Sequence, residues 1–412
     1  MRKIVVIGGG AAGFFGAIEC ASVSKDTEVL LLEKSARLLS KVRVSGGGRC
    51  NVSNSCFDPQ SLVYNYPRGM KELLGPFYSF GPAETMQWFE SRGVMLKTEA
   101  DGRIFPISDN SMSIVNCLLN EAEKAGVRIN TEESVLNIVP KSDGTFIIES
   151  SKNTYLAHKV LVSAGGYPKT ESYNWLKNLN HRIISPVPSL FTMNLPGNDV
   201  TKLMGLSVAD AIVSIPQYRS ESRGPLLITH WGMSGPSVLK LSAMAARKLN
   251  DDNYKVKMNV NWLPELSETE CSEELFSLRK GAGKKSVMAA NPFNLPRRLW
   301  EFIVEKSGIH TETGFANLSN EYIHKLCSIL NRDEYEVKGK TTFKEEFVTC
   351  GGISLREVNF KTMESKLHPG LYFAGEVLDI DAFTGGFNFQ AAWTSGWIAG
   401  KAIADALKQS NP

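Results

Sequence analysis

The 412-residue chain is predicted to be an α/β protein with a Rossmann-like nucleotide-binding domain, a β-meander, and an inserted domain that is first β-rich and then helical. Three observations predict this. The apolar run Lys3-Ile-Val-Val-Ile7 leads into Gly8-Gly-Gly10-Ala-Ala12-Gly13, which reads as a buried parallel strand, a G-x-G-x-x-G turn and a helix. A second apolar strand, Glu28 to Leu32, closes on Glu33, twenty positions after Gly13. Strand-then-glycine grammar returns at Lys159–Gly166, Glu346–Ile353 and Gly370–Gly375, so both ends of the chain fit one sheet.

The turn geometry asks for three glycines in order: Gly8 for the sharp bend, Gly10 for close approach of a pyrophosphate, and Gly13 for helix–strand packing. The helix that follows aims unpaired N–H groups at phosphate, and Glu33 stands where a carboxylate accepts from a ribose hydroxyl. Next, Ser45-Gly-Gly-Gly48-Arg49-Cys50-Asn51 is a flexible, donor-rich turn with one cation, suited to an anionic or polar ligand edge. Pro82 and Gly93 bracket a short helix, Asp101-Gly102 turns a hairpin, and apolar spacing predicts a helix over 111–125 stopped by Gly126. Short strands at 127–129, 134–139 and 145–150 form the meander excursion before the chain returns at Lys159.

Composition shifts near Ser185-Pro-Val-Pro-Ser189. Strands are expected at 210–215, 226–229 and 255–260, with a helix from Pro236 to about Leu249. Helices are expected at 272–279, 295–307 and 319–330. Lys280-Gly-Ala-Gly-Lys-Lys-Ser286 imitates a P-loop but has Leu278 and Lys285 where glycine and a hydroxyl residue belong. The last segment, Gly375-Glu376 to Asp381 and Gly385-Gly386-Phe-Asn388-Phe389, reads as a strand edge, a glycine turn and a small-residue helix over 391–407. The domains are therefore expected at 1–190 and 345–412 for the nucleotide-binding part, 191–263 for the β-rich insert and 264–344 for the helical insert.

A net charge of +3 with scattered basic residues argues against a nucleic-acid partner, and a small-molecule substrate is expected instead. No apolar run reaches membrane-spanning length. Seven cysteines without C-x-x-C pairs suggest reduced thiols in a cytoplasm, and no metal-ligand spacing is present. An N-terminal fingerprint alone fits NAD or FAD. The C-terminal Gly-Glu edge followed by a glycine turn and a last helix resembles the flavoproteins with two dinucleotide-binding domains. Because no second G-x-G-x-x-G follows a strand, FAD is the expected cofactor, with NAD(P)H entering at most as electron donor.

The chain resembles, nearly end to end, a bacterial family of FAD-dependent oxidoreductases of the aminoacetone-oxidase and bile-acid-reductase type. The resemblance is carried by Val5–Gly13, Ser45–Asn54, Gly102–Ser108, Leu227–Pro236, Val348–Ile353, Thr362–Lys366 and the long Gly370–Gly400 block. It implies that Gly8, Gly10, Ala12 and Gly13 hold the pyrophosphate and Glu33 the adenosine ribose, with Lys34 and Val135 flanking the adenosine. It further places Lys41, Gly48, Arg49, Cys50 and Asn51 along the flavin, with Ala164, Gly165 and Gly166 near the nucleotide. Gly375, Glu376, Asp381, Gly386, Asn388, Phe389 and Ala391 would then close the ribityl and isoalloxazine side. The implied chemistry is two-electron transfer between flavin N5 and a small organic substrate. A flavin-dependent RNA-modifying enzyme and a non-enzymatic redox module are the alternatives. No catalytic acid or base declares itself; His230, as a histidine in a polar loop, and Cys50, as a redox thiol, are the candidates.

Overall fold

The computed structural model describes residues 2–23, 27–281, 285–341 and 348–409. The middle of the P-loop-like segment and the start of the strand expected from Glu346 lie outside them. The chain divides into two compact units, Met1–Pro188 with Lys344–Pro412, and Ser189–Phe343.

The first unit is built on a seven-stranded sheet. Its elements used below are β1 (Arg2–Ile7), α1 (Ala11–Val23), β2 (Thr27–Leu32), β3 (Arg128–Asn130), β4 (Lys159–Val162), β5 (Leu371–Phe373) and α2 (Phe387–Gln409). The strands run in the order β3, β2, β1, β4, β5, all parallel. Two short antiparallel strands, Glu364–Ser365 and Val358–Asn359, extend the edge. Ile4, Val5 and Val6 are wholly buried, as the unbroken apolar run requires of a strand covered on both faces. The sequence reverses direction across β1, with β2 on one side and β4 on the other, which makes the carboxyl ends of β1 and β4 the crevice where such sheets bind ligands.

Helices α1 and α2 pack closely because their contact is lined with small residues. A Cβ on Gly396 would sit 2.4 Å from the carbonyl oxygen of Ala12, and one on Gly400 would sit 2.5 Å from that of Gly16. Aromatic rings fill the space beside them: Phe15 lies 4.5 Å from Trp88 and 4.7 Å from Trp393, centroid to centroid. The meander is a separate three-stranded sheet, Val135–Pro140, Phe146–Ser150 and Thr154–Ala157; the strand expected in it at 127–129 instead joins the parallel sheet as β3 beside β2, and Thr154–Ala157 takes its place.

The second unit holds a seven-stranded sheet whose described pairings are antiparallel. The expected β-rich and helical parts share one core here. Strand Asp333–Lys338, from the helical part, pairs along its length with Lys255–Asn261. Asp333, 1% exposed, accepts from the indole of Trp262 at 3.1 Å and from Lys306 Nζ at 2.5 Å. Alternating Asp-Glu-Tyr-Glu-Val-Lys is a strand pattern, but with only its Tyr and Val apolar it does not announce itself after a run of helices. The helix from Pro236 breaks at Ala245 into Pro236–Met244 and Ala246–Asp251.

Candidate cofactor site

The glycine turn between β1 and α1 is tied from three directions. Gly8 N–H donates to Leu32 C=O at 2.8 Å. The Ser163 hydroxyl, just past β4, donates to Ile7 C=O at 3.0 Å. Glu33 accepts from Gly9 N–H at 2.8 Å. Gly8 sits at φ +111°, and a Cβ on Gly13 would fall 1.9 Å from the Gly8 carbonyl oxygen, so both positions are closed to side chains. A Cβ on Gly10 would meet nothing within 4 Å, nor would one on Gly165, whose φ is +75°. These two glycines leave bare backbone facing open space at the end of the sheet, beside the unpaired N–H groups of the first turn of α1. That cradle fits a pyrophosphate.

Beside it a pocket is lined by Ile7, Gly8, Glu33, Lys34, Val135, Ala164, Tyr167 and Trp175, among others. Lys34 Nζ lies 4.9 Å from the centre of the Tyr167 ring. Two aromatic rings, aliphatic walls and two carboxylates, Glu33 and the Glu133 that accepts from Ser150 and Tyr155, suit a purine nucleoside. Tyr167 and Trp175 were missed by sequence reasoning, although Tyr167 directly follows Gly165-Gly166; the signal was there.

The Ser45–Asn51 segment continues the helix Ser40–Gly48 into left-handed backbone, with φ of +58°, +68° and +85° at Gly46, Gly47 and Gly48, and +63° at Cys50. No Cβ added at Gly47 or Gly48 would meet an atom within 4 Å. Asn51, its amide oriented by its neighbours, donates to Ser53 C=O and accepts from Gly386 N–H, both at 3.0 Å. The Gly386 N–H, expected to face a ligand, is therefore engaged within the protein. The N–H groups of the first turn of α2, which begins at Phe387, follow it.

Several charged or polar candidates are also committed to protein partners. Arg49 pairs with Glu99 at 2.6 Å and Asp109 at 3.4 Å and covers the Phe105 ring at 3.8 Å; it braces the glycine turn rather than standing as a free cation. Asp381, wholly buried, is held by Nε and Nη2 of the Arg68 guanidinium, a partner for which the sequence carries no signal. Asn388 clamps the preceding turn, accepting from Ala382 N–H at 3.0 Å and donating to its C=O at 3.1 Å. Phe389 stacks on Trp393 at 5.6 Å, and Ala391 is 5% exposed. Glu376 accepts from Lys41 Nζ at 2.5 Å and Thr349 N–H at 2.8 Å. A Cβ on Gly166 would be 2.5 Å from the Thr349 hydroxyl, and a Cβ on Gly375 would be 2.9 Å from the Cβ of Ala12. Among the described residues the buried Thr349 hydroxyl has no partner, an orphaned polar atom beside the crevice that a polar cofactor chain would satisfy.

Burial pushes the Cys50 thiol up to about 12 against a weaker opposing hydrogen bond with Ser45. With no exposed surface, it is a buried thiol that stays protonated, a poor redox candidate. His230 belongs to the second unit, where it is exposed in the turn Thr229–Gly232, its ring 4.4 Å from that of Trp231. Among the described residues no cluster of side chains could hold a metal ion, and no helix is long and apolar enough to cross a membrane.

Sheet order, glycine cradle, adenosine-type pocket and paired helix N-termini together define a Rossmann-type FAD-binding oxidoreductase. The chain belongs to the family described as HI0933-like protein Rossmann domain, whose pattern matches residues 2–402. It is 27% identical to a 3-dehydro-bile acid delta(4,6)-reductase of Clostridium scindens, over 98% of this chain and 100% of that one. It is also 27% identical to the ribosomal RNA dihydrouridine synthase of Escherichia coli, over 98% of each. A solved structure of a 3-ketosteroid-delta4-(5alpha)-dehydrogenase from Rhodococcus jostii RHA1 shares the fold, with TM-score 0.53 and 13% identity, covering 98% of this chain and 97% of that one.

Proposed function

We propose that the protein uses FAD to move two electrons, with a proton, between a pyridine nucleotide and a carbon–carbon double bond conjugated with a carbonyl group in a small organic substrate. The reading rests on one convergence. A delta(4,6)-reductase of a 3-dehydro bile acid and a dihydrouridine synthase act on very different molecules, yet both names denote saturation of a carbon–carbon double bond conjugated with a carbonyl. Bound FAD supplies the hydride chemistry at its N5. The protein's part is to bind and orient: Gly8, Gly10, Ala12 and Gly13 at the pyrophosphate, Glu33, Lys34 and Val135 at the adenosine, and Ala164, Gly165 and Gly166 at the nucleotide. Lys41, Gly48, Cys50 and Asn51 would border the flavin, with Arg49 as their brace. Gly375, Glu376 and the Thr349 hydroxyl would meet the ribityl chain. Asp381, Gly386, Asn388, Phe389 and Ala391 would hold the start of α2 so that its positive end favours negative charge on the reduced ring.

A second reading, reduction of uridine in ribosomal RNA, draws on the two relatives named for that activity. The small substrate is favoured because net charge is only +3 and many surface cations, such as Arg92, Arg103 and Arg223, already face carboxylates. Anaerobic addition of NADPH and then NADH to the yellow protein tests both readings. Bleaching, followed by reoxidation with 4-androstene-3,17-dione, is the expected result. Reoxidation only by ribosomal RNA, with dihydrouridine formed, would establish the second reading. Failure of either nucleotide to bleach the flavin would remove the reductase direction.

A further inference from the structure

A second concave site lies in the first unit, remote from the glycine cradle. Helix Met70–Ser79, the Leu355–Lys366 segment and the side of α2 at Ile398 enclose a groove of about 680 Å³, within the size range of small-molecule sites. Ile398 is about 16 Å along α2 from Phe387 at 1.5 Å per residue, too far for a ligand there to meet a group held at the start of that helix.

The rim is basic. Lys71, Arg356, Lys361 and Lys366 line the groove against the single carboxylate of Glu72. Lys366 Nζ donates to Arg356 C=O at 2.8 Å and so fixes the segment's two ends together. Among the described residues, Lys71, Arg356 and Lys361 have no carboxylate partner, unlike Arg49, Arg92, Arg103 and Arg223. Four exposed cations gathered on a concave surface with a single carboxylate among them repel one another, and an anion would relieve that repulsion. The floor is apolar, made by Pro76, Val358 and Ile398, all buried.

The helix that forms one wall breaks local rules at this place. Gly75 and Pro76 stand in its interior, where each disfavours helix and proline removes a backbone donor. A Cβ on Gly75 would meet nothing within 4 Å, so the glycine is not required by packing against the protein; it leaves the backbone open toward the groove. Such local conflicts collect where a surface serves a ligand.

We propose that this groove binds an amphipathic anion: a carboxylate, sulfonate or phosphate head at the cationic rim and an apolar body on the floor. The test is calorimetric titration of the FAD-loaded full chain with octanoate, 1-octanol and inorganic phosphate. Two variants accompany it: Arg356→Glu/Lys361→Glu reverses the rim, and Gly75→Leu fills the groove from its helical wall without changing charge. Retained flavin absorbance shows that each variant is folded. Octanoate is expected to bind saturably, about tenfold tighter than octanol or phosphate, and to lose about tenfold in each variant. Absence of saturable octanoate binding, equal binding of octanol, or insensitivity to charge reversal would overturn the proposal. So would tighter binding of poly(U) that is lost on charge reversal, since the rim would then be an RNA contact.

Discussion

Glu33 accepts the N–H of Gly9 at 2.8 Å through one carboxylate oxygen and both donors of Ser35, at 2.9 and 2.8 Å, through the other. A carboxylate offers about four acceptor positions, so three are used inside the protein and one is left for a ribose hydroxyl. Glu33 thus fastens the turn as well as facing the pocket. Glu33→Ala should cost about 1–3 kcal/mol of stability in the FAD-free protein and weaken FAD binding about tenfold or more. Denaturant unfolding of the apoprotein and flavin titration measure the two separately. Loss of affinity with unchanged apoprotein stability would show that the turn does not depend on the carboxylate.

Gly386 occupies φ +95°, and a Cβ there would lie 2.3 Å from the Ser53 carbonyl oxygen. Neither atom can yield without moving backbone. Gly386→Ala should push α2 away from the Ser45–Asn51 turn and break the Asn51–Gly386 bond. Flavin content of the purified variant should fall to a small fraction of wild type. Wild-type flavin content would mean that the helix start and that turn do not act together on the cofactor.

Most of the parallel sheet was legible because β1, β2, β4 and β5 each hold an unbroken apolar run and each of β1, β4 and β5 is followed by glycines. By contrast β3, Arg128-Ile-Asn130, has a single apolar residue and does not show itself as a strand of this sheet. The sites that chain neighbours create were legible for the same reason: Gly10 and Gly165 are open where the turn pattern puts them. What stayed hidden depends on partners far apart in sequence. Nothing near Arg68 points to Asp381, and nothing in Gly-Gly-Gly-Arg predicts that Glu99 would claim the arginine. Strand Asp333–Lys338 was hidden because its apolar alternation is only two residues long and its partner precedes it by a run of helices. Tyr167 could have been found, since an aromatic residue immediately after a strand-terminal glycine pair sits beside the nucleotide crevice.

The Arg68–Asp381 pair lies in a wholly buried setting on the acid side, with 12% of the arginine side chain exposed. Removing one partner of such a pair leaves a charge in a poorly solvated place. Asp381→Leu or Arg68→Met alone should therefore destabilise the protein by about 3–5 kcal/mol, whereas the two together should recover most of that loss. Unfolding curves of the two single variants and the double variant decide it. A double variant as unstable as the sum of the singles would show that the pair is not the relevant unit.

Cys50 and Cys56 provide a contrast in thiol chemistry. Cys50 is wholly buried with its thiol held at about 12, while Cys56 is only half-buried. A maleimide added to native protein at pH 8 should label Cys56 before Cys50. Cys50→Ser should leave the rate of flavin reoxidation within about twofold of wild type. A tenfold slower reoxidation would restore Cys50 as a working thiol.

His181 supplies a pH-dependent fastener in the first unit. Its Nδ1 is 2.9 Å from Glu357 Oε2 and its Nε2 is 3.0 Å from Ser365 Oγ, so the neutral ring donates to the carboxylate and accepts from the hydroxyl. Burial lowers its pKa below 6.5; the hydrogen bond and charge of Glu357 oppose this, and His368, with its ring 6.0 Å away, adds to the lowering. Between the folded-state value and about 6.5 the unfolded chain binds more protons at this position than the native protein does. The stabilisation is therefore fully present above about pH 6.5 and is lost as pH falls toward the lower folded-state value. Urea midpoints at pH 7.5 and 5.5 should show wild type losing more stability on acidification than His181→Gln, which cannot take up a proton there. A steeper loss in the variant would mean that the Glu357 ion pair, strengthened by protonation, outweighs burial.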